Sequence, residues 1–285
     1  MSQSRPQLSL SEQLRHAIEV RSPKGAAATV VGAAASKVAP RWWKEQAPWY
    51  AGRIVDTLGL KVRLDRAEFQ VPEGPNATSL RGLLWLERYE TLERHAISRW
   101  LPRDLPVVEF GASIGVVSCL VNRHLENPAA HVCVEANPAI IPLLQRNRDR
   151  NGCRFRIVHA ALAYGVDSVE FGISESVVES SVLNADAVEK VKVPTIGLET
   201  LLRDSSFDSC ALVCDVEGAE GALVAHEGRV LADKVDTVIL EVHPGYLGDQ
   251  GVAKLAEQMS GLGFSAVWQR GDVWVLRNRQ TFGHR

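Results

Sequence analysis

Short apolar runs alternate with stretches of helical periodicity along most of this chain, and that alternation predicts the architecture. Residues 106–110, 131–135 and 154–159 are apolar segments of strand length, and the sequence between them places apolar residues at helical spacing. Residues 211–215 and 237–243 repeat the pattern. Strands alternating with helices imply right-handed crossovers and a parallel sheet covered on both faces, so the expected class is doubly wound α/β. A single helix is expected over 84–100, stopped before Pro102, and another over 114–125. For the helix after the second strand, Asn137 is the expected N-cap, with Pro138 at the first position and Gly152 just past the end. Residues 264–269 and 272–277, joined by Arg270-Gly271, read as an antiparallel hairpin that closes the sheet.

Two regions depart from this rhythm. The connection over 163–202 is too long for a plain crossover and contains strand-like pieces at 168–173 and 191–195, which reads as a decorated crossover contributing to an acceptor site. Residues 1–55 begin polar, pass through a small-residue stretch at 25–39, and end in the aromatic cluster Trp42, Trp43, Trp49 and Tyr50. They are read as an extension, partly helical or flexible, ahead of a main domain over 56–285 whose lead-in spans 56–105. One or two short strands are expected over 61–71, with a loop at 72–76. The aromatic cluster suits an anchor for the extension, a lid or a membrane-surface contact, because such rings combine apolar area with a polar edge.

Composition narrows the classes. A chain of 285 residues that is 46% hydrophobic can bury a full-sized core. The net charge of −2 and the lack of a basic run argue against a nucleic-acid partner. No stretch approaches the ~20 apolar residues of a membrane span, and the polar start does not read as a secretion signal, so a cytoplasmic location is expected. The cysteines at 119, 133, 153, 210 and 214 form no CxxC pair and read as buried reduced thiols. The sequon Asn76-Ala77-Thr78 is taken as chance.

The candidate chemistry sits at the ends of the predicted strands. Glu109-Phe110-Gly111-Ala112-Ser113-Ile114-Gly115 leads from the first strand into a helix, so the chain must turn sharply at the carboxyl edge. Its glycine spacing is not the G-x-G-x-x-G of dinucleotide folds, which disfavours a nicotinamide oxidoreductase. S-adenosylmethionine fits better, since it has no phosphate and carries a sulfonium and an ammonium that a nearby carboxylate would welcome. Glu135, followed by Ala136 and Asn137, ends the second strand where a carboxylate can accept both ribose hydroxyls. Ala160 and Ala161, ending the third, are small enough to leave room for an adenine. After the fourth strand comes Asp215-Val216-Glu217-Gly218-Ala219-Glu220; a helix starting near Glu217 would put Glu217 and Glu220 on one face, although acids also complement a helix N-terminus. Glu241 and His243 share a face by strand alternation, and a histidine beside carboxylates can serve as a general base.

Together E-F-G-A-S-I-G, V-E-A-N-P, D-V-E-G-A-E and L-E-V-H-P resemble the FkbM family of methyltransferases over roughly residues 62–278. The resemblance implies a Rossmann-like fold of the class I methyltransferase type and O-methylation of a hydroxyl on a sugar, glycolipid or secondary metabolite. It places Glu109, Gly111, Gly115 and Glu135 in the S-adenosyl-L-methionine site, with Ala112 and Ser113 in the same loop, and Asp215, Glu217, Glu241 and His243 towards the reaction centre. Asp215 also borders the cofactor, and the pair Tyr89-Glu90 resembles a family feature, which adds Tyr89. Glu109 stands where the family pattern has Asp, and Ser113 where it has Asn. The expected mechanism is in-line methyl transfer to a small-molecule or glycan acceptor, with Asp215 or His243 removing the proton. A divalent cation on Asp215 and Glu241 is compatible with these positions, but no metal site is assigned from sequence. Competing readings are an N-methyltransferase of a small molecule and a non-catalytic cofactor-binding scaffold. The oligomeric state stays open, a homo-oligomer included.

Overall fold

The computed structural model describes residues 41–74, 76–173 and 189–279, with backbone alone over 41–44. The expectations for the polar start, the 25–39 stretch and the side chains of Trp42 and Trp43 lie outside the described residues. Two compact units divide the chain after Tyr89. The division lies within the stretch read from the sequence as the lead-in, 56–105.

The N-terminal unit contains α1 (Arg41–Leu58), β1 (Arg63–Leu64), β2 (Ala67–Glu68) and α2 (Ala77–Trp85). The two strands pair antiparallel around the left-handed residues Asp65 and Arg66. Helices α1 and α2 meet backbone to backbone, because a Cβ on Gly52 would strike the Thr78 carbonyl and one on Gly82 the Pro48 carbonyl. Trp49 meets Tyr50 edge to face at 5.1 Å, yet Trp49 stays 47% exposed.

The second unit begins with α3 (Thr91–Trp100). The single helix expected over 84–100 is in fact α2 and α3, separated where Glu87 and Glu90 adopt left-handed φ of 57° and 47°. No glycine or proline announces that break, so periodicity ran through it. After α3 come β3 (Val107–Phe110), α4 (Val116–His124), β4 (His131–Glu135), α5 (Ile141–Arg150) and β5 (Arg156–His159). The decorated crossover holds β6 (Ala161–Leu162), β7 (Ser168–Ile173), β8 (Glu189–Ile196) and α6 (Leu198–Ser205), its strands forming a small sheet in the order β6-β8-β7. The chain then completes β9 (Cys210–Cys214), α7 (Glu220–Lys234), β10 (Val235–Glu241), α8 (Pro244–Gly261), β11 (Phe264–Arg270) and β12 (Val273–Asn278).

The main sheet runs β11-β12-β10-β9-β3-β4-β5, parallel from β5 to β10, with β12 antiparallel between β10 and β11. This is the expected Rossmann-like arrangement with its C-terminal hairpin. Strand alternation sends Val108, Phe110, Leu212, Cys214 and Leu240 to a face packed by α6, α7 and α8. Val107, Ala211, Val213 and Ile239 go to the other face, under Ala96 and Ile97 of α3 and Val121 of α4. Each fully buried large apolar side chain contributes about 1.5–3 kcal/mol relative to exposure. All five cysteines are buried and free, as expected. Among the described residues, no helix is long and apolar enough to cross a membrane.

Three local expectations need correction. Helix α5 starts at Ile141 with Pro142 in its first turn; Asn137 instead accepts the Ala139 amide at 3.0 Å and caps a separate turn before the helix. Helix α7 begins at Glu220, because Glu217 and Gly218 both have positive φ, 44° and 102°, and cannot continue a right-handed helix backwards. Strand β10 stops at Glu241, which leaves His243 as the N-cap of α8 rather than a strand residue.

Candidate active site

Strand order reverses between β3 and β9: β4 and β5 lie on one side of β3, and the chain returns through the small sheet to enter β9 on the other. Ligands in open α/β sheets bind at the carboxyl edge of such a switch point. Here Gly111 follows β3 with φ of 88°, and a Cβ at that position would stand 1.8 Å from the Asp215 carbonyl oxygen. Only glycine lets the two strand ends come this close. The result is a cleft of about 690 Å³, counting its open mouth, between the Gly111 loop, Glu135, Ala160 and Ala161, and the Asp215–Ala219 segment. Its charged lining residues are Glu135, Asp215 and Glu217, all acidic.

Glu135 organises the cleft. Its Oε2 accepts the Ser113 amide and its Oε1 the Asn137 amide, each at 2.7 Å. Burial raises its pKa, and these backbone amides pull it back towards the ionised form. A carboxylate has about four lone-pair sites, so two accepted bonds leave room for ligand hydroxyls. The Ser113 amide is aimed by a left-handed φ of 47°, and the Ser113 Oγ is buried with no hydrogen-bond partner. An orphaned hydroxyl of this kind beside a cleft marks where a ligand atom belongs.

Glu109 does not reach the cleft. It precedes Phe110 on β3, so alternation turns it to the α4 face, where it is fully buried. Ser118 Oγ donates to its Oε1 and His131 Nε2 to its Oε2, both at 2.8 Å. The cofactor contact expected for Glu109 is thus replaced by a role inside the sheet. Gly115, the N-cap of α4, packs near Leu144, while Ser113, Ala136, Asn137, Ala160 and Ala161 do line the cleft. Ala112 is buried within the loop. Tyr89 is the last residue of the N-terminal unit.

Asp215, Glu241 and His243 converge although they come from three segments, since β9 and β10 are parallel neighbours in register at Cys214 and Leu240. A ligating atom from each lies within 4.8 Å of the others. His243 Nδ1 donates to Glu220 Oε1 at 2.5 Å, while Nε2 stands 3.4 Å from Asp215 Oδ1. Glu90 and Glu93, at the start of α3, approach Glu241 in the same way. Burial pushes Asp215 up to about 8, helped by Glu241 and opposed by His243. Burial and then Glu93 push Glu241 up to about 7. For His243 burial disfavours the charge, but the Glu220 hydrogen bond and the charges of Asp215, Glu220 and Glu241 outweigh it and raise the value to about 9. Burial, Glu93, Asp215 and Glu241 raise Glu90 as well.

Of the residues expected towards the reaction centre, Asp215, Glu241 and His243 come together, while Glu217 lines the cleft beside Asp215. Glu220, named in the sequence only with the helix start, joins His243, and Glu90, named only with Tyr89, joins Glu93 at Glu241. Glu93 has no counterpart among the sequence expectations, although two acids three apart at 90 and 93 are a visible signal.

No family model and no curated protein matches the chain. Among solved structures it is similar to a methyltransferase from Pyrococcus furiosus, at 13% identity over 82% of this chain and 98% of that one, with a TM-score of 0.44. It is similar to an O-methyltransferase from Bacillus cereus in complex with SAH, at 12% identity over 66% and 80%, with a TM-score of 0.43. A precorrin-6y C5,15-methyltransferase from Geobacter metallireducens matches at 14% identity over 66% and 86%, with a TM-score of 0.40. At these values the likenesses support no inference about activity, and the reading below rests on this chain's own residues.

Proposed function

We propose that the second unit is an S-adenosylmethionine-dependent methyltransferase that methylates a hydroxyl of a sugar, glycolipid or secondary metabolite, in keeping with the resemblance of its motifs to the FkbM family. The observation that carries this reading is the cleft at the β3/β9 switch point, whose charged lining is wholly acidic and which leaves a buried hydroxyl unpaired. A phosphate-bearing dinucleotide would meet repulsion there; a cationic sulfonium with an ammonium would not. Glu135 has acceptor capacity for ribose hydroxyls, Ser113 Oγ is free for a polar group, and Ala160 and Ala161 leave space for a flat ring. Bound in this cleft, the cofactor supplies a methyl group activated by its positive sulfur.

The remaining chemistry belongs to the chain. Alignment of acceptor and donor in such a cleft can be worth roughly 7–11 kcal/mol in favourable cases. A sugar hydroxyl is a weak acid, so its proton needs a receiver. Asp215 suits that task in its ionised form: a carboxylate raised to about 8 is a far stronger base than an ordinary one, and the ionised fraction grows as the pH rises towards 8. His243, raised to about 9, is mostly cationic near neutrality and suits holding Asp215 in place rather than taking the proton itself.

The test is transfer of a labelled methyl from S-adenosylmethionine to a panel of hydroxyl and amine acceptors. Label on hydroxyls, lost in Asp215→Asn, supports the reading; label on amines alone would replace it with N-methylation, and tight binding of NAD with none of S-adenosylmethionine would remove it.

A further inference from the structure

The reaction edge gathers more negative charge than the proposed methyl transfer uses. Among the described residues, His243 is the cationic group within ion-pair distance of Asp215, and no lysine or arginine bridges Glu241. Behind them Glu220 is fully buried, and its Oε2 has no hydrogen-bond partner. Glu220 therefore engages its surroundings through Oε1 alone, and that oxygen is committed to His243.

We propose that Asp215, Glu241 and His243 hold a divalent transition-metal cation, with Glu220 as the outer carboxylate that orients the histidine. Their three ligating atoms lie within 4.8 Å of one another, close enough to share one ion. Glu220 Oε1 takes the Nδ1 proton of His243 at 2.5 Å and so directs Nε2 towards Asp215. This is the carboxylate–histidine arrangement that fixes the tautomer of a metal ligand. A role for Glu220 as a mere helix-end complement does not account for that bond.

The donor set sets the class of ion. Two carboxylate oxygens and one imidazole nitrogen suit manganese or iron better than the all-oxygen preference of magnesium and calcium. Glu90, Glu93 and Glu241 form a second cluster of suitable span, but it shares Glu241 and lacks an oriented histidine, which favours the first. Resting on the methyltransferase reading, the cation also sharpens the acceptor class. It attracts and acidifies a hydroxyl oxygen and repels an ammonium, while each carboxylate, engaged through one oxygen, keeps the other for a proton.

The probe is Mn²⁺ alone, titrated into the chelator-treated full-length protein, with free ion followed by electron paramagnetic resonance. One saturable Mn²⁺ per chain is expected. His243→Ala, Glu241→Gln and Glu220→Gln should each weaken it about tenfold or more, and Glu93→Gln less than about threefold. Circular dichroism identifies any variant that fails to fold, and the others then decide. No saturable binding at millimolar Mn²⁺, or loss in Glu93→Gln with retention in His243→Ala, overturns the proposal. Calorimetry with S-adenosylmethionine on the same samples separates the two readings: Mn²⁺ bound without cofactor defeats the methyltransferase and leaves the ion site standing, and the reverse result does the opposite.

Discussion

Glu109 on β3 and His131 at the start of the neighbouring β4 meet beneath α4, while Asp215, Glu241 and His243 meet where β9 and β10 end. Both groups combine carboxylates with a histidine, yet they are built differently. In the first, Ser118 and His131 occupy the two oxygens of Glu109, and Asn122 Nδ2 lies 3.5 Å from His131 Nδ1 and donates to the Pro128 carbonyl at 2.7 Å. Every link is closed, and the group cements α4 to β3 and β4. In the second, Glu220 Oε2 is unpaired and the His243–Asp215 contact is a long 3.4 Å. The difference teaches that residue type alone does not mark a site. A satisfied buried network stabilises, whereas an unsatisfied one at a sheet edge is poised for a ligand.

The largest expected effect comes from breaking the open group. Asp215→Asn should lower kcat about 10³-fold, roughly 4 kcal/mol, and weaken the cofactor much less, by about tenfold at most, since Asp215 is one of three acids lining the cleft. Steady-state rates and calorimetry on one preparation check both halves. His131→Ala breaks the closed group instead and leaves Glu109 buried without its partner; urea denaturation should show a loss of about 3 kcal/mol. Glu135→Gln is expected to weaken S-adenosylmethionine by about 1.5–2 kcal/mol, near 10- to 30-fold, and to cost about 1–3 kcal/mol of stability, because its NH2 would face one of the two amides the carboxylate now accepts.

The remaining effect is a pH dependence to which the open group contributes. Asp215 and Glu241 move up from 3.8 and 4.5 to about 8 and about 7, so the folded chain binds protons there that the unfolded chain has released. Stability contributed by these groups is therefore greatest at low pH and falls as the pH rises through 7 and 8. His243 acts in the same direction: its contribution is complete below its ordinary 6.5 and is lost as the pH rises through about 9. In chelator-treated protein, Tm should fall steadily from about pH 5.5 to 9, and Asp215→Asn should flatten the curve.

Much of this was legible in the sequence. The succession of strands along the chain, the decorated crossover and the closing hairpin followed from apolar periodicity, because burial is what periodicity records. The cleft residues Gly111, Ser113, Glu135 and Asp215 followed from their place at strand ends. What escaped depends on backbone dihedrals and on face. Left-handed Glu87 and Glu90 split a helix that looked continuous, and left-handed Glu217 delayed another to Glu220. Glu109 is expected at the cofactor through the family resemblance, whereas its parity on β3 with respect to Phe110 turns it to the other face.

The most direct measurement is a crystal structure of the protein with S-adenosylhomocysteine. The ribose should lie within hydrogen-bond distance of Glu135, with the sulfur turned towards Asp215. A ligand bound elsewhere, or a fully occupied ligand whose ribose leaves Glu135 untouched, would contradict the account.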